Sequence, residues 1–302
     1  MNDITEKQTS LRRALAQGRV KCDPDVMRVV RSGNLPKGDL FHTARAAGFL
    51  AVKQTQFLIP HCHPVSIDGT KLDFELEEDG ILISCEVQSI CRTGVEMEAL
   101  TAVSVAGLVI YDLLKPLKGD LTITDVRLAE KKGGRSDFRK KYSGKGMRAA
   151  VLVCSDSTAA GKREDRSGRV IQEILKEYET ELFAYEILPD DPEPIQKKIR
   201  EWAAEGVDFV FTTGGTGLGP RDRTIEALRE ILDREAPGIT EAMRSFGQER
   251  TPVAMLSRSI AGVLDRTIIV SLPGSSNGAR ESLRGVLPAL FHGQGMVRGG
   301  GH

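Results

Sequence analysis

Residues 93–115 carry ionisable side chains at both ends of an apolar stretch. Glu96 and Glu98 lie near its beginning, and Asp112 and Lys115 lie at its end. Glu98 and Asp112 are 14 residues apart, close to four helical turns, so a helix would place them roughly on one face. Charges on a buried helix are unfavourable unless they are paired or used in chemistry. The pattern predicts either acid–base chemistry or an ordinary core helix with carboxylates at its positive end.

Histidines and lysines near this segment add further candidates. Residues 59–64 read Ile-Pro-His-Cys-His-Pro, but a zinc site needs three or four ligands and no second His/Cys cluster accompanies them. We therefore favour an acid–base or substrate-binding role for His63 over zinc, with a capped loop histidine as the alternative. Lys131, Lys132 and Arg135 flank two glycines and could bind phosphates or form a solvated end of the domain.

The second half carries a glycine-rich loop, residues 214–222, directly after an apolar run. Glycines let backbone N–H groups approach an anion closely. Neither the dinucleotide-binding motif nor the P-loop fits, because Pro220 stands where they need Gly or Lys. Asp190 and Asp222 beside this loop suit a Mg²⁺-nucleotide site, since carboxylates bind the metal and offset phosphate charge. Helix capping is the alternative for either aspartate alone.

Two different patterns of elements position these residues. The first half predicts helices at 40–58 and 94–115 and strands at 68–77, 80–91 and 120–128. This order indicates an α+β domain with an antiparallel sheet. The second half predicts strands at 149–154, 182–188, 207–213 and 267–272. It predicts helices at 167–178, at 193–204 and from 277, with two further helices within 222–246. This alternation indicates a three-layer, doubly wound α/β domain with a mostly parallel sheet, whose ligand loops lie at the carboxyl ends of the strands.

Composition limits the class of protein. Lys+Arg and Asp+Glu both total 42 and 5% of the residues are aromatic, which gives no argument for nucleic acid or an anionic membrane surface. We expect no apolar run long enough to span a bilayer and no signal peptide with an apolar central region. Five scattered cysteines favour free thiols in a reducing cytoplasm. The 302 residues suggest two domains, which we place at 1–138 and 148–302 with a polar linker at 139–147.

The first half closely resembles the cyclic pyranopterin monophosphate synthase family. The segments that carry the resemblance are 37–39, 43–45, 62–64, 93–101 and 111–115. It implies a ferredoxin-like fold and a rearrangement of cyclic dihydro-GTP to the pyranopterin with release of pyrophosphate. The implied catalytic residues are Lys37, His63, Glu96, Glu98, Asp112, Lys115 and Lys131, and the implied substrate-binding residues are Asp3, Arg12, Cys62 and Met97. Lysines with lowered pKa beside carboxylates would supply the proton transfers.

The second half resembles the molybdopterin adenylyltransferase family. The segments that carry the resemblance are 155–156, 165–168, 212–217, 256–258 and 272–275, with Asp222, Glu241 and Arg244. It implies transfer of AMP from Mg-ATP to molybdopterin, with Asp190 and Asp222 as catalytic residues and Mg²⁺ ligands. The implied substrate-binding residues are Ser155, Asp165, Gly168, Gly214, Gly215, Thr216, Gly217, Glu241, Arg244, Pro273, Gly274 and Ser275. Ser276 and Asn277 depart from the family pattern, which usually has Pro after Leu-Pro-Gly-Ser.

The sequence thus predicts a bifunctional molybdenum-cofactor biosynthesis protein. Its expected ligands are cyclic dihydro-GTP, molybdopterin and Mg-ATP, with no tightly bound organic cofactor. The resemblances imply a homo-oligomer, a trimer or hexamer. Two alternatives stay open. The second half could be a non-catalytic pterin-binding or scaffolding module, for which the changed loop at Ser276 argues, or the whole chain could be a sensor of pterin levels, which the retained lysines and carboxylates disfavour.

Overall fold

The chain forms two compact units, Met1–Asp137 and Phe138–His302, in the computed structural model. The structure describes residues 1–35, 37–134, 137 and 142–300. The two-domain expectation is therefore confirmed. Arg135 and residues 139–141 of the expected linker lie outside the described residues, so the linker boundaries stay a prediction.

The N-terminal unit is an antiparallel sheet covered by helices. Its elements are β1 (Ser10–Cys22), α1 (Pro24–Ser32), α2 (Leu40–Leu58), β2 (Gly69–Leu76), β3 (Gly80–Cys91), α3 (Glu96–Leu114) and β4 (Leu121–Lys132). The strand order is β2-β3-β1-β4, and every neighbouring pair is antiparallel. The expected α+β class with an antiparallel sheet is confirmed, and α2 has the predicted bounds.

Strand β1 and helix α1 were not expected from the sequence. The core-facing positions of β1 include Ala14, Ala16 and Gly18, which have low strand propensity and obscure the alternation. These small residues are needed because α3 lies directly over the strand. A Cβ built on Gly18 would come within 2.6 Å of the Val103 side chain. Close helix-to-sheet packing thus explains why the strand is difficult to recognise.

Helix α3 is the central core helix of this unit. Its buried positions include Ala99, Ala102, Ala106 and Ile110, which pack into the same apolar core as the sheet and α2. By length and composition alone the segment Glu96–Leu117 could cross a membrane. The expectation that no apolar run is long enough to span a bilayer was therefore wrong. Its small residues permit close packing inside this unit instead.

The C-terminal unit is a six-stranded sheet between two layers of helices. Its elements are β5 (Arg148–Cys154), α4 (Asp156–Ala159), α5 (Ser167–Glu177), β6 (Glu181–Leu188), α6 (Pro192–Ala204), β7 (Phe209–Thr213), α7 (Thr224–Arg229), β8 (Arg234–Glu235), α8 (Pro237–Gln248), β9 (Ala261–Leu264), β10 (Thr267–Leu272) and α9 (Ser276–Val297). Two separate apolar cores lie on the two faces of the sheet.

The strand order of this sheet is β6-β5-β7-β10-β9-β8. The first four strands are parallel, while β9 and β8 run antiparallel at one edge. The mostly parallel sheet is confirmed. The short edge strands β8 and β9 were not predicted, because segments of two and four residues are too short to show a period.

Described residues at the end of the expected linker pack on the C-terminal unit. The Gly144 N–H donates to the Tyr178 carbonyl at 3.0 Å, and the Tyr142 ring lies 5.1 Å from the His292 ring. This part of the segment therefore extends the C-terminal unit, despite its polar composition.

Candidate functional site

A cavity of about 510 Å³, here called the carboxylate cavity, opens at the N-terminal end of α3. Glu96, Met97 and Glu98 enter it from the first turn of the helix, and Cys62 and His63 enter it from the loop after α2. The remaining lining residues are Met1, Asn2, Ile4, Lys7, His61, Thr93 and Gly94. The structure thus brings five of the predicted site residues together.

Glu98 is the buried acid of this cavity, with 4% of its surface exposed. Burial raises the pKa of Glu98, and the neighbouring Glu96 charge raises it further. Burial, with a contribution from Glu98, also raises the pKa of the Cys62 thiol. A carboxyl group whose proton is held more tightly than usual is suited to general acid–base work near neutral pH.

The ring of His63 contacts the first residues of the chain. Its Nε2 lies 2.8 Å from the Asn2 carbonyl oxygen, so the ring donates there when Nε2 carries hydrogen. Asp3 accepts from the backbone and hydroxyl of Thr5 and lines neither this cavity nor the one described next. Among the described residues, no group of three or more His, Cys, Asp or Glu side chains is arranged to hold a metal ion.

A second, basic cavity of about 330 Å³ adjoins the carboxylate cavity and shares Lys7, Thr93, Gly94 and Glu96 with it. The residues that line only the basic cavity are Arg12, Arg13, Lys131, Lys132 and Gly133. Lys131 Nζ lies 3.2 Å from Glu96 Oε1, at the border between the two cavities. The Arg12 guanidinium donates to the carbonyls of Cys91 and Arg92, which holds the strand end that forms the wall.

Lys37, Asp112 and Lys115 form a separate group at the other end of α3. Lys37 Nζ lies 3.1 Å from Asp112 Oδ2, and Lys115 Nζ lies 2.5 Å from Asp112 Oδ1. Hydrogen bonds from Lys115 and Lys37 lower the pKa of Asp112, and the hydrogen bond to Asp112 raises the pKa of Lys115. The expectation of lysines with lowered pKa was therefore wrong for Lys115, because its ion pair stabilises the charged form.

The two groups are well separated within one chain. The 14 residues between Glu98 and Asp112 span about 21 Å of helix. Glu98 is buried and Asp112 is exposed, although 14 residues of helix leave them only about 40° apart around the helix axis. The predicted site residues of the N-terminal unit consequently fall into two clusters that cannot contact one small substrate together in a single copy.

A cavity of about 690 Å³ in the C-terminal unit, here called the loop cavity, lies at the carboxyl ends of β5, β7 and β10. Predicted residues in its lining are Ser155, Asp165, Asp190, Gly214, Gly215, Asp222, Gly274 and Ser275. Three strand ends and their loops therefore converge as expected for a parallel sheet. Gly168 lies beside the lining, where a Cβ would come within 2.6 Å of Asp165 Oδ2.

Gly214 and Gly215 allow the backbone to pass close to the loop cavity. Both have positive φ, 101° and 60°, which favours glycine. A Cβ on Gly214 would lie 2.1 Å from the Cys154 carbonyl oxygen, and one on Gly215 would lie 2.0 Å from the Thr224 hydroxyl. No side chain fits at either position.

Asp190 is a partly buried acid of the loop cavity. Thr224 donates its hydroxyl to Asp190 Oδ1 at 2.7 Å. Burial raises the pKa of Asp190 although this hydrogen bond lowers it, and the charges of Asp222 and Asp156 add to the rise. A nearby cation would relieve this repulsion, so the carboxylates fit a Mg²⁺ site.

Asp222 closes the turn of the glycine-rich loop. Its Oδ2 accepts the Gly219 N–H at 2.9 Å, and its own N–H donates to the Gly219 carbonyl. Helix α7 begins at Thr224 with Arg223 as its N-cap, so the alternative interpretation of Asp222 as the helix cap is wrong. Asp191 does hold the N-cap position before Pro192, although its side chain makes no capping hydrogen bond.

Three predicted substrate-binding side chains also have local structural roles. The Ser155 and Ser275 hydroxyls cap α4 and α9 by accepting the N–H groups of Thr158 and Gly278. Burial opposes ionisation of Asp165, but hydrogen bonds from Tyr185 and the following turn lower its pKa. These residues shape the loop cavity whether or not they contact a ligand.

A fourth cavity of about 360 Å³, the hydroxyl cavity, lies beside the loop cavity and shares Ser275 with it. Its hydroxyl groups come from Thr251, Ser257, Ser259, Ser275 and Ser282. Arg244, Pro273 and Asn277 line this cavity rather than the loop cavity. Glu241 is exposed and Thr216 is buried, and neither they nor Gly217 line either of the two cavities.

Several residues near the sites escaped the sequence analysis. Lys7 and Arg13 complete the basic cavity, and Thr224 and Arg258 hold the acidic loop of the C-terminal unit. Lys7, Arg12 and Arg13 lie on β1 and on the segment before it, which form one wall of the basic cavity. This cluster of basic residues could be recognised as a site only once β1 was known. Thr224 and Arg258 act through hydrogen bonds that a linear sequence does not display.

Comparison with known proteins identifies both units. Residues 1–134 match the MoaC family, and residues 150–292 match the probable molybdopterin binding domain. The cyclic pyranopterin monophosphate synthase of Streptomyces avermitilis is 48% identical over 136 residues, which cover 45% of this chain and 80% of that protein. MoaB of Thermus thermophilus is 51% identical, with a TM-score of 0.49, over 51% of this chain and 97% of that structure.

One relative extends over the whole chain. The molybdenum cofactor biosynthesis bifunctional protein of Chlorobaculum tepidum is 41% identical over 302 residues, covering 100% of this chain and 96% of that protein. This relative therefore spans both units in the same order. The chain belongs to the family of bifunctional molybdenum cofactor biosynthesis proteins.

Proposed function

We propose that the N-terminal unit converts cyclic dihydro-GTP to cyclic pyranopterin monophosphate with release of pyrophosphate. The observation that carries this proposal is the adjacency of the carboxylate and basic cavities, which share Glu96. The first offers groups for proton transfer at a heterocycle, and the second offers cations for the phosphates that leave. Synthases related to this half support the same assignment.

The residues of the two cavities suit different parts of this reaction. Glu98, with its raised pKa, holds or gives a proton at the ring system, and His63 lies beside it. Lys131 and the arginines of the basic cavity balance phosphate charge. The third group, Lys37, Asp112 and Lys115, supplies an ammonium held by an ion pair, which can stabilise negative charge or donate a proton.

A second copy of the chain would complete this site. The Lys115 group lies about 21 Å along α3 from Glu98, too far for one small substrate within a single copy. We propose that the chain is a homo-oligomer in which the Lys115 group of one copy faces the carboxylate cavity of another. Exposed apolar residues on α2 (Leu50 and Phe57) and on α3 (Leu108) provide surface for such contact.

Replacing Lys115 with Ala tests the first activity. Lys115 is exposed, so the variant is expected to fold and to lose product formation by at least roughly 100-fold. Formation of cyclic pyranopterin monophosphate from cyclic dihydro-GTP is followed by chromatography. The exposed Lys118, three residues further on, gives the matched control Lys118→Ala, which should stay active. Full activity of Lys115→Ala would contradict the assignment.

We propose that the C-terminal unit adenylylates molybdopterin. The observation that carries this is the pair of adjoining cavities that share Ser275, because the reaction needs two ligands side by side. ATP would occupy the loop cavity, and the pterin would occupy the hydroxyl cavity. The terminal phosphate oxygen of the pterin attacks the α-phosphorus of ATP, and the bond to the β-phosphate breaks to release pyrophosphate.

The chain's own groups position these reactants. Asp190 and Asp222 would hold Mg²⁺, which supplies charge neutralisation on the phosphates when bound. Gly214 and Gly215 line the loop cavity with backbone alone, which can contact a phosphate directly. The hydroxyls of Ser257, Ser259 and Ser282 offer hydrogen bonds to the polar edge of a pterin ring. Free cysteines at all five positions fit the reducing cytoplasm in which we place the protein.

The alternative for this unit is a pterin-binding module without turnover. It rests on Ser276 and Asn277, which replace the usual family pattern and begin α9 next to both cavities. Incubation of the protein with molybdopterin and Mg-ATP decides between the two, with mass spectrometry for the adenylylated pterin. Product from wild type but not from Asp222→Ala supports the enzyme, whereas bound pterin without product supports the module.

The strand order β2-β3-β1-β4 also supports the ferredoxin-like classification that we propose for the N-terminal unit. Two helical connections, one before β2 and one after β3, separate the strands in the order that this class requires.

A further inference from the structure

Arg258 contacts the glycine-rich loop of the C-terminal unit at two carbonyl groups. Its Nε donates to the Gly217 carbonyl at 2.7 Å, and its Nη2 donates to the Asp222 carbonyl at 2.6 Å. Its backbone N–H donates to the Thr216 carbonyl at 3.0 Å. A further nitrogen forms an ion pair with Glu226 on α7. One partly buried guanidinium thus fixes the loop that carries Asp222.

The loop that Arg258 holds leads directly into the residue that contacts Asp190. The Asp222 carbonyl accepts from Arg258, and Thr224, two residues later, donates its hydroxyl to Asp190 Oδ1 at 2.7 Å. Helix α7 begins at Thr224, so the segment between the two contacts is short and ordered. Holding the Asp222 carbonyl therefore also places the donor on Asp190.

We propose that Arg258 is the positioning residue of the adenylylation site, which orients Asp222 by holding its loop and Asp190 through Thr224. This inference rests on the function proposed for this unit. Arg258 does not line the loop cavity, so it acts through the loop rather than on the ligand. Neighbouring Ser257 and Ser259 line the hydroxyl cavity, so the same short segment contributes to both ligand sites.

The test compares Arg258→Gln and Arg258→Lys with Glu226→Gln. The control breaks the ion pair but leaves both contacts to loop carbonyls. Arg258→Gln should lower kcat/KM for Mg-ATP roughly 10- to 100-fold, the usual effect of losing a residue that orients ligands. Arg258→Lys should lie between, because an ammonium cannot contact both carbonyls as a fork does. Glu226→Gln should stay within about twofold of wild type.

The two Michaelis constants separate positioning from a general loss of structure. Arg258→Gln should raise KM for Mg-ATP but leave KM for molybdopterin within about twofold of wild type, because Arg258 holds the loop of the loop cavity and does not line the hydroxyl cavity. Circular dichroism and thermal unfolding verify that each variant is folded. Wild-type kcat/KM in Arg258→Gln would overturn the inference, as would an equal rise in both Michaelis constants or an equal loss in Glu226→Gln.

Calorimetric binding of Mg-ATP keeps this test separate from the test of turnover. If wild type binds Mg-ATP but forms no adenylylated pterin, the proposed turnover fails, and roughly tenfold weaker binding by Arg258→Gln still supports the positioning role. Unchanged affinity in that variant overturns it. A wild-type protein that neither binds Mg-ATP nor turns over would overturn both proposals.

Discussion

Glu98 illustrates how a residue can be placed for chemistry at the expense of stability. A buried carboxylate is unfavourable when it is charged. Glu98 also lies beside a second carboxylate, Glu96, in the first turn of α3. Both effects raise its pKa. The folded protein therefore binds this proton more tightly than the unfolded chain does, which links stability to pH.

The Glu98→Gln variant should be more stable than wild type at neutral pH and inactive in the first reaction. Wild type loses stability as pH rises from the unfolded pKa of about 4.3 through the raised folded pKa, and Gln cannot titrate. We expect Tm to rise by about 2–4 °C at pH 7 and the difference to disappear near pH 4.

Thermal unfolding across this pH range provides the measurement. Glu78→Gln, an exposed glutamate in the turn between β2 and β3, serves as the control and should show no such pattern. The opposite result would be a Glu98→Gln variant whose Tm falls below that of wild type at pH 7 but not at pH 4. It would mean that the surroundings stabilise the charged form of Glu98.

Residue identities in the sites were predictable from sequence, but their protonation was not. The motifs pointed to Glu98, Asp190 and Lys115 by type and spacing. Whether a pKa rises or falls depends on burial and on partners from other elements, such as the Asp112 contact that raises the pKa of Lys115. These contacts appear only when the chain is folded.

At the scale of elements, the glycine-rich loop depends on an absence of side chains. Gly215→Ala should lower adenylylation by roughly 100-fold, because the new Cβ would displace Thr224 and the Asp190 carboxylate that it holds. Turnover of Mg-ATP and molybdopterin measures the loss. Gly238→Ala, at a helical glycine with open space around it, is the matched control and should stay active. An active Gly215→Ala would show that this loop does not shape the site.

The elements that were predicted correctly have a clear period or strong boundaries. Helix α2 and strand β10 have the predicted bounds, and α3 differs by two residues at its start and one at its end. Strand β1 was missed because tight packing against α3 requires Ala and Gly where a strand usually has branched residues. Tertiary packing, rather than local propensity, determines such segments.

At the scale of the whole molecule, the two clusters of the N-terminal unit predict complementation between copies. Glu98→Gln and Lys115→Ala should each be inactive alone. When the two variants are unfolded and refolded together, some sites receive an intact Glu98 from one copy and an intact Lys115 from another. With equal, random mixing in a symmetric assembly, such sites should restore up to about a quarter of wild-type activity. Mixed oligomers that form but remain inactive would contradict a site shared between copies.

The central claim is that one chain carries two separable activities, and a double assay on the full chain tests it most directly. Wild type, Glu98→Gln and Asp222→Ala are each given cyclic dihydro-GTP in one reaction, and molybdopterin with Mg-ATP in another. We predict that wild type forms both products, that Glu98→Gln loses only the pyranopterin, and that Asp222→Ala loses only the adenylylated pterin. Wild-type protein that forms the pyranopterin but only binds molybdopterin would contradict the claim and leave one enzyme joined to a binding module.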